Sequence, residues 1–162
     1  MLQAKYRGAM KRQVARAIEI CLVGSTSSDA LVIQEMLASS KVLNNLHVLR
    51  TSERALTYLR RDGEFSKSEP VDLILLDLEM ADDAGYCLLD TIKRDPQLRP
   101  ISLAALAGAM DPHAVARARD LHADYLIEKP LDWQGLHDLV HSISQWWFCV
   151  VDIGPQANAV AG

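Results

Sequence analysis

No stretch of this 162-residue chain approaches the eighteen or so consecutive apolar residues that a membrane-spanning helix requires, so a bilayer span is not expected. Cysteine is scarce too. Cys21, Cys87 and Cys149 are odd in number, far apart and without C-x-x-C spacing, which leaves buried, reduced thiols among apolar neighbours as the expectation. The glycine-built signatures of nucleotide and acyl chemistry are also missing. Without G-x-G-x-x-G, G-x-x-x-x-G-K or G-x-S-x-G, neither a dinucleotide site, a phosphate-cradling loop nor a nucleophile elbow is indicated, and the expectation is that the chain is not an enzyme. Residues 1–17 carry Lys5, Arg7, Lys11, Arg12 and Arg16 without an Asp or Glu. The formal charge of the whole is -4, so residues 1–16 read as a basic arm on an acidic body, with no case for nucleic acid as partner. That arm has neither an apolar core segment nor a small-residue cleavage pattern, and Met10 offers a second start; a soluble, cytoplasmic protein is expected.

What is present is a regular alternation. IEICLV (18–23), LHVLR (46–50), VDLILLD (71–77), ISLAALA (101–107) and ADYLIE (123–128) are short, strand-prone runs. Between and after them lie helical patterns. GSTSSD supplies an N-cap for a helix through about Leu37; Thr51 caps SERALTYLRR, with Ala55, Leu56 and Leu59 as its apolar stripe; YCLLDTIKR stops before Pro96. Asp111 and Pro112 open a fourth helix, and LDWQGLHDLVHSISQWW is the fifth. DGEFSKSEP reads as loop. Five strands alternating with five helices predict an α/β domain, a doubly wound parallel sheet, whose ligand crevice lies at the carboxyl ends of the strands. VDLILLD is apolar on both faces, as a strand covered on each side must be.

Asp77 ends the third strand and Lys129 follows the fifth, so both project toward that crevice. A carboxylate and an ammonium meeting there form either an anion or phosphoryl site or a salt bridge at the rim. His137 and His141 have i, i+4 spacing but no further ligands, and are read as a solvated helix face.

DLILLDLEM with Asp77, the downstream Gly85, and ADYLIEKPL with Lys129 and Pro130 resemble, in order and spacing, the receiver domain of two-component response regulators. The resemblance covers residues 17–147. SERALTYLRRDGEF and the closing WWFCVVDIGP are similar to segments of the small single-domain regulators that partner bacterial phytochrome kinases. It implies a flavodoxin-like sheet of order 2-1-3-4-5 with a C-terminal extension, and a place in phosphorelay signal transduction. Asp77 would be the phosphoacceptor, forming a phosphoaspartate from a sensor histidine kinase, and Lys129 the phosphoryl contact. A divalent cation would offset the charge of nucleophile and phosphoryl oxygens.

Several positions depart from the family pattern. The acidic pair that holds magnesium falls on Gly24 and Ser25; the hydroxyl residue of strand four falls on Ala107; the aromatic switch falls on Leu126, with Tyr125 on the opposite face. The Pro and Asp that follow the phosphoacceptor strand are Ala81 and Ala84. Asp77 and the Glu79 carbonyl are then the metal donors implied, a weak Mg2+ site at best; Glu79, Asp82 or Asp83 could substitute by reaching in, but each is expected to point to solvent. The expectation is a pseudo-receiver that acts mainly through protein contacts, the alternative being an active phosphoacceptor with an altered metal site. Trp146, Trp147, Phe148 and Val150 are too apolar for an idle tail; they form the candidate interface of a homodimer, with residues 148–162 an interaction strand followed by a disordered end.

Overall fold

A computed structural model describes residues 17–40, 43–108 and 112–142. Its elements alternate: β1 (Ile18–Val23), α1 (Ser27–Ser39), β2 (Asn44–Leu49), α2 (Ser52–Leu59), β3 (Leu73–Asp77), α3 (Ala84–Arg94), β4 (Ser102–Ala107), α4 (Pro112–Asp120), β5 (Tyr125–Glu128) and α5 (Trp133–Ser142). The strands make one sheet of order β2-β1-β3-β4-β5, and every pairing is parallel. Parallel neighbours demand crossover helices, which cover both faces of the sheet.

Side-chain alternation divides the core into two layers. Ile18, Ile20 and Leu22 of β1, with Leu73 and Leu75 of β3, meet Ile33 and Leu37 of α1 and Leu136 and Leu139 of α5. Cys21, Val23, Ile74 and Leu76 point the other way, onto Tyr58 and Leu59 of α2, Leu88, Leu89 and Ile92 of α3 and Ala118 of α4. The central strands β1 and β3 are buried at every position, and each large side chain sealed there stabilises the fold by about 1.5–3 kcal/mol. Glu19 is the exception among these apolar residues. Its carboxylate accepts from Asn45 Nδ2 at 2.5 Å and lies 3.1 Å from His47 Nε2, while its N–H donates to Asp72 Oδ2 at 2.8 Å, so the buried charge is provided with partners.

Thr26 and Thr51 cap α1 and α2 as expected, each hydroxyl accepting from the amide three residues on, Asp29 and Arg54, at 3.2 Å. Elsewhere the boundaries move. β2 begins at Asn44, because the Ile18 amide needs a partner and finds the Leu43 carbonyl at 2.9 Å, which draws the polar Asn44 and Asn45 into the ladder. The DGEFSKSEP segment contains a short 3-10 turn at Gly63–Phe65, and Phe65 packs edge-on against Tyr58 with centroids 5.0 Å apart. Tyr58, absent from the expected stripe of α2, is buried, whereas Leu56 is only partly so.

Cys87 corrects the expectation of buried thiols: it is exposed, because the helical period of α3 turns Gly85, Leu88, Leu89 and Ile92 inward and leaves Cys87 on the outer face. Cys21 conforms, and burial pushes its thiol up to about 12. Asp111, Cys149 and the candidate interface residues Trp146, Trp147, Phe148 and Val150 lie outside the described residues. No helix among the described residues is long and apolar enough to cross a membrane.

Candidate functional site

The crevice is built from strand ends. Asp77 is the last residue of β3, and Lys129 follows β5, its amide donating to the Ala107 carbonyl at the end of β4 at 2.8 Å. The Lys129–Pro130 peptide is cis. These junctions bring Lys129 Nζ to 2.9 Å from Asp77 Oδ2, and the turn after β3 lets the Glu79 amide donate to Asp77 Oδ1 at 2.8 Å. Asp77 is only 2% exposed, so its charge is tolerable because both oxygens are engaged. Burial alone would lower the Lys129 ammonium; its hydrogen bond to Asp77 and the charges of Asp77, Glu79 and Asp29 outweigh that and raise it above its ordinary value. A charge-assisted bond of this kind contributes about 1.5–3 kcal/mol, and any group approaching Oδ2 must displace or share it.

Gly85, at the start of α3, explains how the helix lies so close to β3. A Cβ there would sit 2.6 Å from the Asp77 carbonyl oxygen and 2.8 Å from the Leu78 Cα, backbone atoms that cannot swing away. Only glycine allows that approach.

At the end of β1, beside Asp77, positions 24 and 25 carry no charge. Gly24 has φ +81°, and a Cβ built on it would meet Met80 Sδ at 2.5 Å and Met80 Cγ at 2.6 Å. The thioether of Met80 thus fills the volume over the end of β1 where a side chain at position 24 would project. Ser25 is buried and its hydroxyl finds no partner among the described residues. No group of three or more His, Cys, Asp and Glu side chains able to hold a metal occurs among the described residues. Mg2+ wants near-octahedral oxygen ligation with one or two free carboxylates. Asp77 is committed to Lys129, and the space beside it holds an apolar sulfur. The residues present do not fit a divalent cation.

The β4 side is different. The Glu79 carboxylate is turned back over the end of β4, where Oε1 accepts a hydrogen bond from the Gly108 amide and lies 3.9 Å from Lys129 Nζ. The side chain is exposed, as expected of a loop acid, but one of its oxygens is engaged by the protein. Asp83 is exposed as well, and its carboxylate forms a two-pronged surface pair with Arg117 of α4, which lowers the acid from its usual value; the guanidinium stacks 3.9 Å above the Tyr86 ring. Both Asp82 and Asp83 adopt left-handed φ, 57° and 62°. Ala107 ends β4 buried and without a hydroxyl to offer, and Leu126 and Tyr125 face opposite core layers, as alternation along β5 requires.

A parallel α/β sheet that delivers a buried carboxylate from its central strand and a lysine from its edge strand to one crevice defines a module of phosphoryl-based signalling. The response regulator receiver domain matches residues 20–141, and the chain belongs to that family, which serves two-component signalling. Response regulator Rcp1 of Synechocystis sp. is 29% identical over 134 residues, 83% of this chain and 91% of Rcp1. Among solved structures, the phosphorylated cyanobacterial phytochrome response regulator RcpA superposes with a TM-score of 0.68 at 32% identity, covering 82% of this chain and 94% of that one. The Mn(2+)-bound form of Rcp1 gives 0.66 at 29% identity, over 83% and 96% of the two chains.

Proposed function

We propose that this chain is a response-regulator module that signals mainly through protein contacts, and that Asp77 is not the seat of a metal-dependent phosphoryl switch. The observation that carries this reading is the Met80 side chain lodged over Gly24. Phosphorylation would replace the single charge of the Asp77 carboxylate by the larger negative charge of an acyl phosphate, and without a cation the single ammonium of Lys129 is left to balance it. The upstream partner we assign is a sensor histidine kinase of the bacteriophytochrome type, on the strength of the similarity to RcpA, a phytochrome response regulator. The same proposal takes the protein to be cytoplasmic and a homodimer, paired through the end of α5 and the tail that bears Trp146, Trp147, Phe148 and Val150, with neither nucleic acid nor membrane as partner.

A second reading is favoured by one contact, the Lys129 bond to Asp77 Oδ2, which keeps a nucleophile and its phosphoryl partner in place. Under it Asp77 accepts a phosphoryl group despite the altered metal site. Intact-mass measurement after incubation with acetyl phosphate, with and without Mg2+, on the native chain and on Asp77→Asn decides between them. The first reading expects no adduct in any sample. An adduct that needs Mg2+ and vanishes in Asp77→Asn would establish the second.

A further inference from the structure

Two consecutive side chains of the loop after β3 are each seated on a glycine. Met80 lies over Gly24, and Glu79 lies over Gly108, where a Cβ would meet Oε1 at 2.5 Å, Oε2 at 3.2 Å and Cδ at 3.3 Å. Any other residue at 108 would push the carboxylate away. The Gly108 amide, at the end of β4, is thus open to an anionic oxygen, and it lies beside the Lys129 ammonium, which completes a positive seat next to Asp77 Oδ2. An N–H and an ammonium converging on one point recognise an anionic oxygen, whether from a phosphoryl group or from a carboxylate.

We propose that Glu79 is a built-in anion: its carboxylate occupies the seat formed by the Gly108 amide and Lys129, ties the loop after β3 to the end of β4, and excludes an incoming anion from Asp77. This rests on the reading that Asp77 is not phosphorylated under metal control, and it says why the site is quiet on its anion side as well as on its cation side. Three features converge on it. The carboxylate accepts from the Gly108 amide; the site keeps both Lys129 and Asp77; and Glu79 is anchored at its own backbone by the 2.8 Å bond from its amide to Asp77 Oδ1. Because the tether is only one side chain long, the effective concentration of this internal carboxylate far exceeds that of any free anion.

The test is amide NMR on the full 15N-labelled chain, with Gly108 as reporter. In the native protein the Gly108 amide should resonate downfield, as a donor to a carboxylate does, and should move upfield in Glu79→Gln and further in Glu79→Ala. Titration with inorganic phosphate should leave the native Gly108 signal in place but shift it saturably in Glu79→Ala, with affinity for phosphate tightened roughly tenfold or more. Asp83→Asn, which removes a neighbouring loop carboxylate that points to Arg117 instead, should reproduce neither change. A Gly108 amide that is indifferent to residue 79, or phosphate that shifts it equally in the native chain and in Glu79→Ala, overturns the proposal. Glu79 is half exposed, so both variants are expected to fold. The acetyl phosphate experiment is independent: an adduct there defeats the quiet-site reading while the Gly108 signal still reports whether Glu79 holds the seat.

Discussion

The two sides of Asp77 differ in what they present to it. On the β1 side the charges are gone: Gly24 and Ser25 carry none, and an apolar thioether has settled into the room they leave. The β4 side has kept its donors, the Gly108 amide and Lys129, and has turned them toward a carboxylate of the same chain. One half presents an apolar surface to Asp77; the other presents donors already engaged by a carboxylate of the same chain. On the reading proposed above, the cation side would be silent by deletion and the anion side by self-occupation. In both halves a glycine makes the substitution sterically feasible.

The floor shared by both halves should be the most sensitive point. Gly85→Ala drives a methyl into the Asp77 carbonyl and Leu78 backbone, and is expected to destabilise by about 2 kcal/mol, read as a lower denaturation midpoint with unchanged slope. Next comes the β1 half. Gly24→Ala imposes a left-handed φ on an L-residue and evicts Met80, for a cost of about 1–2 kcal/mol. If the two side chains compete for one volume, Gly24→Ala made in a Met80→Ala background should recover about 0.5 kcal/mol or more, and strict additivity would show that Met80 does not fill that space.

In the β4 half the corresponding change is milder. Gly108→Ala meets only the free end of a flexible carboxylate, so its cost should stay below about 1 kcal/mol and disappear when Glu79 is already Ala; a cost that persists there would locate the strain in the backbone rather than in the seat.

The smallest effect is a pH dependence. The Lys129 ammonium is raised above its ordinary 10.5, so its contribution to stability is complete below that value and is lost as pH climbs through the higher folded value. Burial raises Cys21 and Tyr58 to about 12 as well, and these act in the same direction. Subtracting the alkaline melting curve of Asp77→Asn from that of the native chain cancels the contributions of Cys21 and Tyr58. The remainder should be a fall in stability above about pH 10.5 that belongs to the Asp77–Lys129 pair.

The fold was legible because its signals were periodic. Runs such as IEICLV and LILLD announce strands buried on both faces, and Thr26, Thr51 and Pro112 mark helix starts by local chemistry alone. Asp77 and Lys129 were legible as a pair because each closes a strand, and strand ends share an edge in a parallel sheet. Glu79 was not, since its partner is an amide 29 positions away that becomes available only after β3 and β4 have paired. A trace of it did exist: a glycine directly after β4 and a long acid two residues beyond Asp77 are the two halves of that contact. Cys87 misled for the opposite reason. Its neighbours in sequence are apolar, but helical geometry, not adjacency, decides which of them it accompanies inward.

The Asp83–Arg117 clamp has a mechanical consequence. Residues 79–83 are fastened at one end to β4 by Glu79 and at the other to α4 by Asp83, with Tyr86 bracing the guanidinium. A loop pinned at both ends transmits displacement instead of absorbing it. On the proposed reading, a protein that displaces α4 would therefore also displace the loop that follows Asp77, through the Asp83–Arg117 pair.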